Sequence, residues 1–478
     1  MKKIFYPIIA LLLSSCSNDF LNLYPETSLN ESNYYKTDAE FVSLVNGSYI
    51  PMRNLAKTVQ WDVSEIKSDN MDLQPSNTNI EQSRNDNFLM SSASIVHKSL
   101  WDNSYKGIYY VNKTLGAMAS TGYVWTNENL KARSLGELHF LRALYYFDLV
   151  RQFGGVPLVV TAINSQEAVG VKRSSIEEVY TQIISDLTLS TDNFANAGDT
   201  HENGRASLTA ANGLLGKVYL TKKDYTNAEK HLKTVINSGK HALLTNYADV
   251  FNPGKKDYVE TLFSVQFSET LAELANTFIF FNAPSTSKGD VTGRPAVNLS
   301  VNIAIKPSND LLNAFSPNDA RYAVSIGKWT GPDAKNVVTD FFYCNKYKGP
   351  QNAILGWSGD NFPILRYSDI LLMYAESLNE LNKTSEAIPY VELVRKRAGL
   401  IDDISGLGKT ELTSLIEKER RLEFCFENQR WYDLIRTNRA VPVMRALGKT
   451  IENYHMLSPI PGDQVLINKI DQNEGYGL

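Results

Sequence analysis

Cysteine, histidine and long apolar runs are scarce in this chain, and each scarcity removes a class of function. Three cysteines in 478 residues cannot build a disulfide framework. Cys16 sits in an N-terminal leader, and the distant Cys344 and Cys425 read as small core residues, Cys344 in a strand or buried turn and Cys425 in a helix. The six histidines, His97, His139, His201, His231, His241 and His455, contain no HExxH and no other close ligand pair, so no metal site is expected. GxSxG is absent. Gly408-Lys409-Thr410 and Gly448-Lys449-Thr450 resemble the end of a phosphate loop, but Asp403 and Val443 stand where its first glycine is required. No cofactor is expected. Basic runs are missing too, and the formal charge of -4 becomes -6 once Lys2 and Lys3 leave with the leader, which argues against nucleic acid as a partner.

The one sustained apolar run, residues 4–13, is about half as long as a membrane-spanning helix needs. It follows Lys2 and Lys3 and ends in Leu13-Ser14-Ser15-Cys16, a secretory leader closing on a lipoprotein cleavage pattern. Residues 1–15 are therefore expected to be removed and Cys16 lipidated, with two or three acyl chains giving a stable anchor. Residues 16–30 then form a flexible tether.

What the chain does contain is helical repetition and aromatic rings. Leu215, Gly216, Tyr219, Ala228, Leu232 and Val235 fit the tetratricopeptide register without a gap, and Leu371, Tyr374, Ala375, Leu378, Ala387, Val391 and Val394 fit it again. Small residues at Gly216, Ala228, Ala375 and Ala387 let the two helices of each pair approach. Residues 130–151 and 176–187 predict another pair, with Thr126 as the N-cap residue before it, and 415–435 a fourth. Residues 39–54 and 100–118 fit the scheme less clearly. Between 246 and 362 the helical period fades into short alternating runs rich in Gly, Pro, Asn and Ser. The chain thus predicts a mostly α fold in one domain, 31–478, whose helical-repeat scaffold carries a long loop-rich insertion with short strands. Residues 41–99 are expected to add further loops.

The most distinctive stretch is E-R-R-L-E-F-x-F-E-x-x-R-W-Y-D-L-I-R, from Glu419 to Arg436. Leu415, Leu422 and Phe426 predict one helical stripe, and a second short helix follows. Glu417 and Arg421 form an attractive i,i+4 pair while Glu423 and Glu427 repel, so some of these charges are expected to pair with another segment. This stretch resembles the C-terminal signature of the RagB/SusD family of nutrient-binding lipoproteins. The run from Phe140 to Leu149 followed by Phe153-Gly154-Gly155-Val156-Pro157-Leu158, the run from Arg366 to Glu376, and the ending Leu457-Ser458-Pro459-Ile460-Pro461 are similar to that family in the same order. The resemblance implies a SusD-like scaffold, a location on the outer membrane facing outward, and a non-enzymatic role. Such a protein captures glycans, or peptides or other nutrients, and passes them to a SusC-like TonB-dependent barrel transporter. Arg142, Arg366 and Arg420 are expected to pair with buried acids.

A sugar offers C–H faces to aromatic rings and hydroxyls to Asp, Asn, Gln and Arg. Trp329 and Trp357, each flanked by turn formers, are the leading candidate contacts. Phe281, beside Phe280 and Asn282, and the set Trp61, Asp69 and Asn70 are the others. Trp101 and Trp431 lie in helical patterns and read as core. A surface-anchored glycoside hydrolase is the competing reading, with a carboxylate pair among Asp62, Glu65, Asp69 and Asp72.

Overall fold

The computed structural model describes residues 35–73, 78–198, 204–252, 259–293, 305–333, 335–347, 351–352 and 357–477. Helices dominate. Asp38–Asn54, Ile95–Ser120, Glu128–Phe153 and Ile176–Asn196 pack in sequence, followed by the pairs Leu208–Thr221 with Tyr225–Asn237 and Tyr367–Glu380 with Thr384–Arg397. The repeat register holds in atomic terms. A Cβ on Gly216 would lie 2.6 Å from Leu232 Cγ, so only glycine allows this approach, and Ala228, Ala375 and Ala387 are fully buried. Helix starts follow capping chemistry: Ser175 and Glu178 form a reciprocal box, and Asn127, not Thr126, accepts from Leu130 N at 3.0 Å. Thr126 instead donates to Asp38, tying the helix Asp38–Asn54 to the start of Glu128–Phe153.

The signature segment is the electrostatic centre of the scaffold. Arg366, 1% exposed, forks onto Glu427 at 2.8 and 2.9 Å and reaches Glu260 at 2.9 Å and Glu423 at 3.0 Å. Arg397 joins Glu260 and Glu423, and Lys346 joins Glu427. Arg420 bonds Asp369 and Asp433, and Arg142 bonds Asp186, so the three signature arginines do pair with buried acids. Burial opposes the ionised form of Glu423, yet the charges of Arg397, Arg366, Arg321 and Lys346 hold it well below the usual carboxylate range.

Two expectations for this segment are corrected. The helix spans Lys409–Phe424, so Cys425 lies beyond its end and Phe426 takes a φ of +66°. The cause is Glu65, whose buried carboxylate accepts from Phe426 N at 2.8 Å and Asn428 N at 3.0 Å and so fixes a turn there. The local pair Glu417 with Arg421 does not form. Glu417 meets Arg430 and Arg439, while Arg421 meets Asp69 and Asp310.

The insertion is closed at its neck. Strand β2 (Thr261–Val265) near its start pairs antiparallel with β8 (Phe362–Arg366) at its end, which feeds directly into the helix Tyr367–Glu380. Among the described residues three other two-stranded antiparallel sheets are β1 (Met71–Leu73) with β3 (Ile305–Pro307), β4 (Ile326–Pro332) with β5 (Val338–Cys344), and β6 (Gln351–Asn352) with β7 (Trp357–Ser358). Residues 41–99 contain more helix than expected: a π-helical turn Leu55–Val59 extends the first helix, and Asn79 caps Ile80–Asp86 through bonds from Glu81 N and Gln82 N.

Candidate functional site

The β4–β5 hairpin turns its sequence into a ring-bearing face. Period-two alternation puts Gly327, Trp329 and Gly331 on one side of β4, opposite Tyr343, Phe341 and Thr339 of β5. The glycines are needed for the rings. A Cβ on Gly327 would lie 2.2 Å from the Tyr343 ring, and one on Gly331 would lie 2.2 Å from the six-membered ring of Trp329. The half-buried indole lies 5.5 Å from Phe341 and donates Nε1–H to Asp290 at 3.0 Å, with Ile279 and Val291 packed behind it. Its orientation is therefore fixed before any ligand arrives. On the other face Lys328 meets Asp340 at 2.8 Å, and hydrogen bonds from Lys328 and Thr330 hold that exposed carboxyl below its ordinary value.

A short helix, Phe278–Asn282, gathers the remaining insertion candidates. Its Ile279 packs against Trp329. Just before it, Asn276 exchanges backbone hydrogen bonds with Ser358 at 2.9 Å and donates Nδ2–H to Asp360 O at 2.6 Å, which places the half-buried Trp357 beside the helix start. Phe281 belongs to this helix, although its side chain lies outside the described residues. The structure thus brings Trp329, Trp357 and the backbone of Phe281 to one neighbourhood. Asn282 Oδ1, Thr286 Oγ1 and Ser287 Oγ, in and just after the same helix, are buried without hydrogen-bond partners among the described residues.

Trp61, Asp69 and Asn70 are corrected from ligand contacts to interior struts. Trp61 is 4% exposed and stacks with Phe278 and Phe426 while meeting Tyr347 edge-on. Asp69 receives both prongs of Arg430 at 2.7 Å, and these bonds with the nearby Arg421 charge outweigh burial and keep its carboxyl low. Asn70 bridges Glu65 and Arg421 at 3.1 and 2.9 Å. Burial pushes the Asp62 and Glu65 carboxyls up to about 7, and both are bound internally, Asp62 to Gln82 and Glu65 to the turn at Phe426. Of the four acids on which the hydrolase reading relied, Asp62, Glu65 and Asp69 are buried and bound internally, and Asp72 is half-buried on β1. Cys16 and the tether lie outside the described residues. Among the described residues no cluster of His, Cys, Asp or Glu could hold a metal ion, and no helix is long and apolar enough to cross a membrane.

Sequence reasoning missed a cavity of about 380 Å³ between the helix Ile95–Ser120 and the segment 157–171. Trp101, Tyr105 and Tyr109 line it at four-residue intervals, and Tyr105 donates to Pro157 O at 2.7 Å. Trp101 is buried as expected, but Tyr109 is 42% exposed. The spacing of a core stripe and of a cavity wall is the same, so the aromatic stripe was the signal and could not be told from core.

Residues 19–220 match a family described as starch-binding and associating with the outer membrane, and residues 313–476 match the SusD family. A SusD-like protein of Formosa agariphila is 26% identical over 99% of this chain and 99% of its own. Among solved structures, a laminarin binding SusD-like protein superposes with a TM-score of 0.79 at 24% identity, covering 92% of this chain and all of that one. NanU of B. fragilis does so with a TM-score of 0.78 at 24% identity, over 95% of this chain and all of that one. These two share the fold with the present chain.

Proposed function

The chain belongs to the RagB/SusD family, and from that premise we propose that it is a lipid-anchored, outward-facing protein that captures oligosaccharides and delivers them to a TonB-dependent barrel transporter. The observation that carries this reading is the Trp329 platform. A half-exposed indole, braced by Gly331 and Phe341 and oriented by Asp290, offers a flat face at little entropic cost to a sugar's C–H surface. Trp357, on the loop bonded to Asn276, supplies a second ring in the same neighbourhood. A fold relative whose name records laminarin binding supports glycan as the ligand class. The leader ending at Cys16 supports membrane attachment by acyl chains, and the tether after it would let the body swing over a barrel while the anchor stays fixed.

The test is a binding screen of the soluble form starting at Ser17 against polysaccharides and oligopeptides, with Trp329→Ala and Trp357→Ala alongside. Saturable binding of a polysaccharide without hydrolysis, weakened about tenfold or more by Trp329→Ala, is the expected result. Binding to oligopeptides alone would replace glycan capture with peptide capture. Binding indifferent to both tryptophans would remove the insertion as the site.

A further inference from the structure

A second concavity, about 190 Å³, opens between the helix Asp38–Asn54 and β2. Its floor is Met52, Phe263 and Val265, and its polar rim includes Asn46, Arg53 and Gln266. Arg53 makes one long hydrogen bond, 3.4 Å to Gln266 O, and Lys57 makes one, 3.4 Å to Ala272 O. Neither cation has a carboxylate within ion-pair distance among the described residues, although both are half-buried. They stand at i and i+4 where like charges repel, and Lys57 sits inside the π-helical turn Leu55–Val59, a local irregularity that recurs at functional sites. Burial lowers both cations' affinity for protons, the Arg53 charge lowers that of Lys57 further, and the field of Glu273 opposes this at both.

Elsewhere this fold answers each buried arginine with acids. Arg205, on the same rim, is clamped by Glu137 at 2.9 and 2.8 Å. Half-buried Arg173 also meets no carboxylate, but Gly155 O, Phe153 O, Asp471 O and Asn473 Oδ1 take up its donors; Arg53, with its single long bond among the described residues, keeps open donor positions at the mouth of a cleft with room for one sugar residue. Hydrogen bonds also link the cleft to the loop that carries Trp357. Gln266 accepts from Asn361 at 2.8 Å, three residues after Ser358, and the loop that Lys57 touches leads into Asn276, which is bonded to Ser358.

We propose that this cleft is a subsite for an anionic substituent, a carboxylate or a sulfate ester, on the captured saccharide, with Arg53 forking onto its oxygens and Lys57 adding charge. This rests on the glycan-capture reading and narrows it to acidic sugars. The apolar floor takes the ring while Tyr49, tilted over Phe263 at 6.4 Å, closes one side.

The experiment measures binding of D-galacturonate, galactose 6-sulfate and D-galactose to the soluble chain by ligand-observed NMR, at low and high salt. The variants are Arg53→Gln, Arg53→Lys and Lys57→Gln. One or both anions should bind at least fivefold more tightly than galactose, and the two arms tell carboxylate from sulfate. Arg53→Gln should lose this advantage, Arg53→Lys should keep only part of it, Lys57→Gln should weaken it about threefold, and salt should weaken it throughout. Anions that bind no better than galactose, or that bind Arg53→Gln as well as the native chain, overturn the proposal. Polysaccharide binding in the broader screen together with that result would overturn the subsite alone. Anion binding through Arg53 with no polysaccharide bound would overturn glycan capture and leave the anion site standing.

Discussion

Replacing Arg366 with Met should be among the most damaging single changes to this protein. Arg366, Arg397 and Lys346 face Glu260, Glu423 and Glu427, three charges of each sign enclosed together. Methionine matches much of the arginine stem but leaves one buried negative charge unanswered and strips hydrogen bonds from all three acids. Removing one member of a buried pair costs about 3–5 kcal/mol, and Arg366 serves three partners, so that range is a lower bound. Against a typical domain stability of about 5–15 kcal/mol, the loss is large enough to read directly from urea unfolding followed by far-UV circular dichroism. Charge imbalance, rather than lost packing, is the claimed cause, and a second variant isolates it. Arg366→Met combined with Glu427→Gln restores neutrality and should recover at least about 1 kcal/mol relative to Arg366→Met alone. The deficit should also narrow as pH falls from 7 towards 4, because the mutant's acids accept protons that native Glu423, held low by its arginines, refuses. A loss under about 1 kcal/mol, or strictly additive effects in the double variant, would refute the argument.

Asp62 is raised from 3.8 to about 7 by burial, so the native state binds more protons than the unfolded chain between those values and stability falls as pH rises through that window. Asp62→Asn keeps a partner for Gln82 and should remove up to roughly 4 kcal/mol of that fall, seen as a melting-temperature gain at pH 7.5 that vanishes near pH 4; a pH-independent difference would contradict it. Gly216→Val forces atoms into Leu232 and should cost about 1–3 kcal/mol in thermal unfolding, since the crowding outweighs any gain in chain stiffness. Cys344 and Cys425 are buried with thiols pushed up, so the soluble chain should take up no maleimide when folded and two equivalents in urea.

The scaffold was readable because helix pairing is a short-range problem. Gly216 and Leu232 are sixteen positions apart, and the register linking them is written in one stretch of sequence. Ends fixed by distant groups were not readable: nothing near Phe424 announces that the helix stops there, because the stop is Glu65 accepting from Phe426 and Asn428 across more than three hundred positions. Trp61, Asp69 and Asn70 failed as candidates for the same reason. Polar letters between two helical patterns look like a loop, and the partners that draw these residues inside, Arg421 and Arg430 for Asn70 and Asp69 and Phe278, Tyr347 and Phe426 for Trp61, arrive late in the chain. Trp329 was legible as a ring among glycines, but the reason for the glycines, contact with Tyr343 and with its own indole, required the strand register.

Two like-charged pairs at i and i+4, Glu423 with Glu427 and Arg53 with Lys57, have contrasting fates that show what such a pattern means. Glu423 and Glu427 repel along their own segment, yet both are almost fully buried and Arg366 bonds to each, so the repulsion is repaid by long-range partners and the pair is structural. Arg53 and Lys57 repel in the same way but remain half-exposed, and among the described residues each has a single 3.4 Å contact to a carbonyl. The local symptom is identical in sequence, and burial together with partner supply separates the two cases. A repulsive pair that the fold has already neutralised has nothing left to offer a ligand. One left without acids at the rim of a cleft gains most when an anion enters, because binding then removes a penalty that folding left in place.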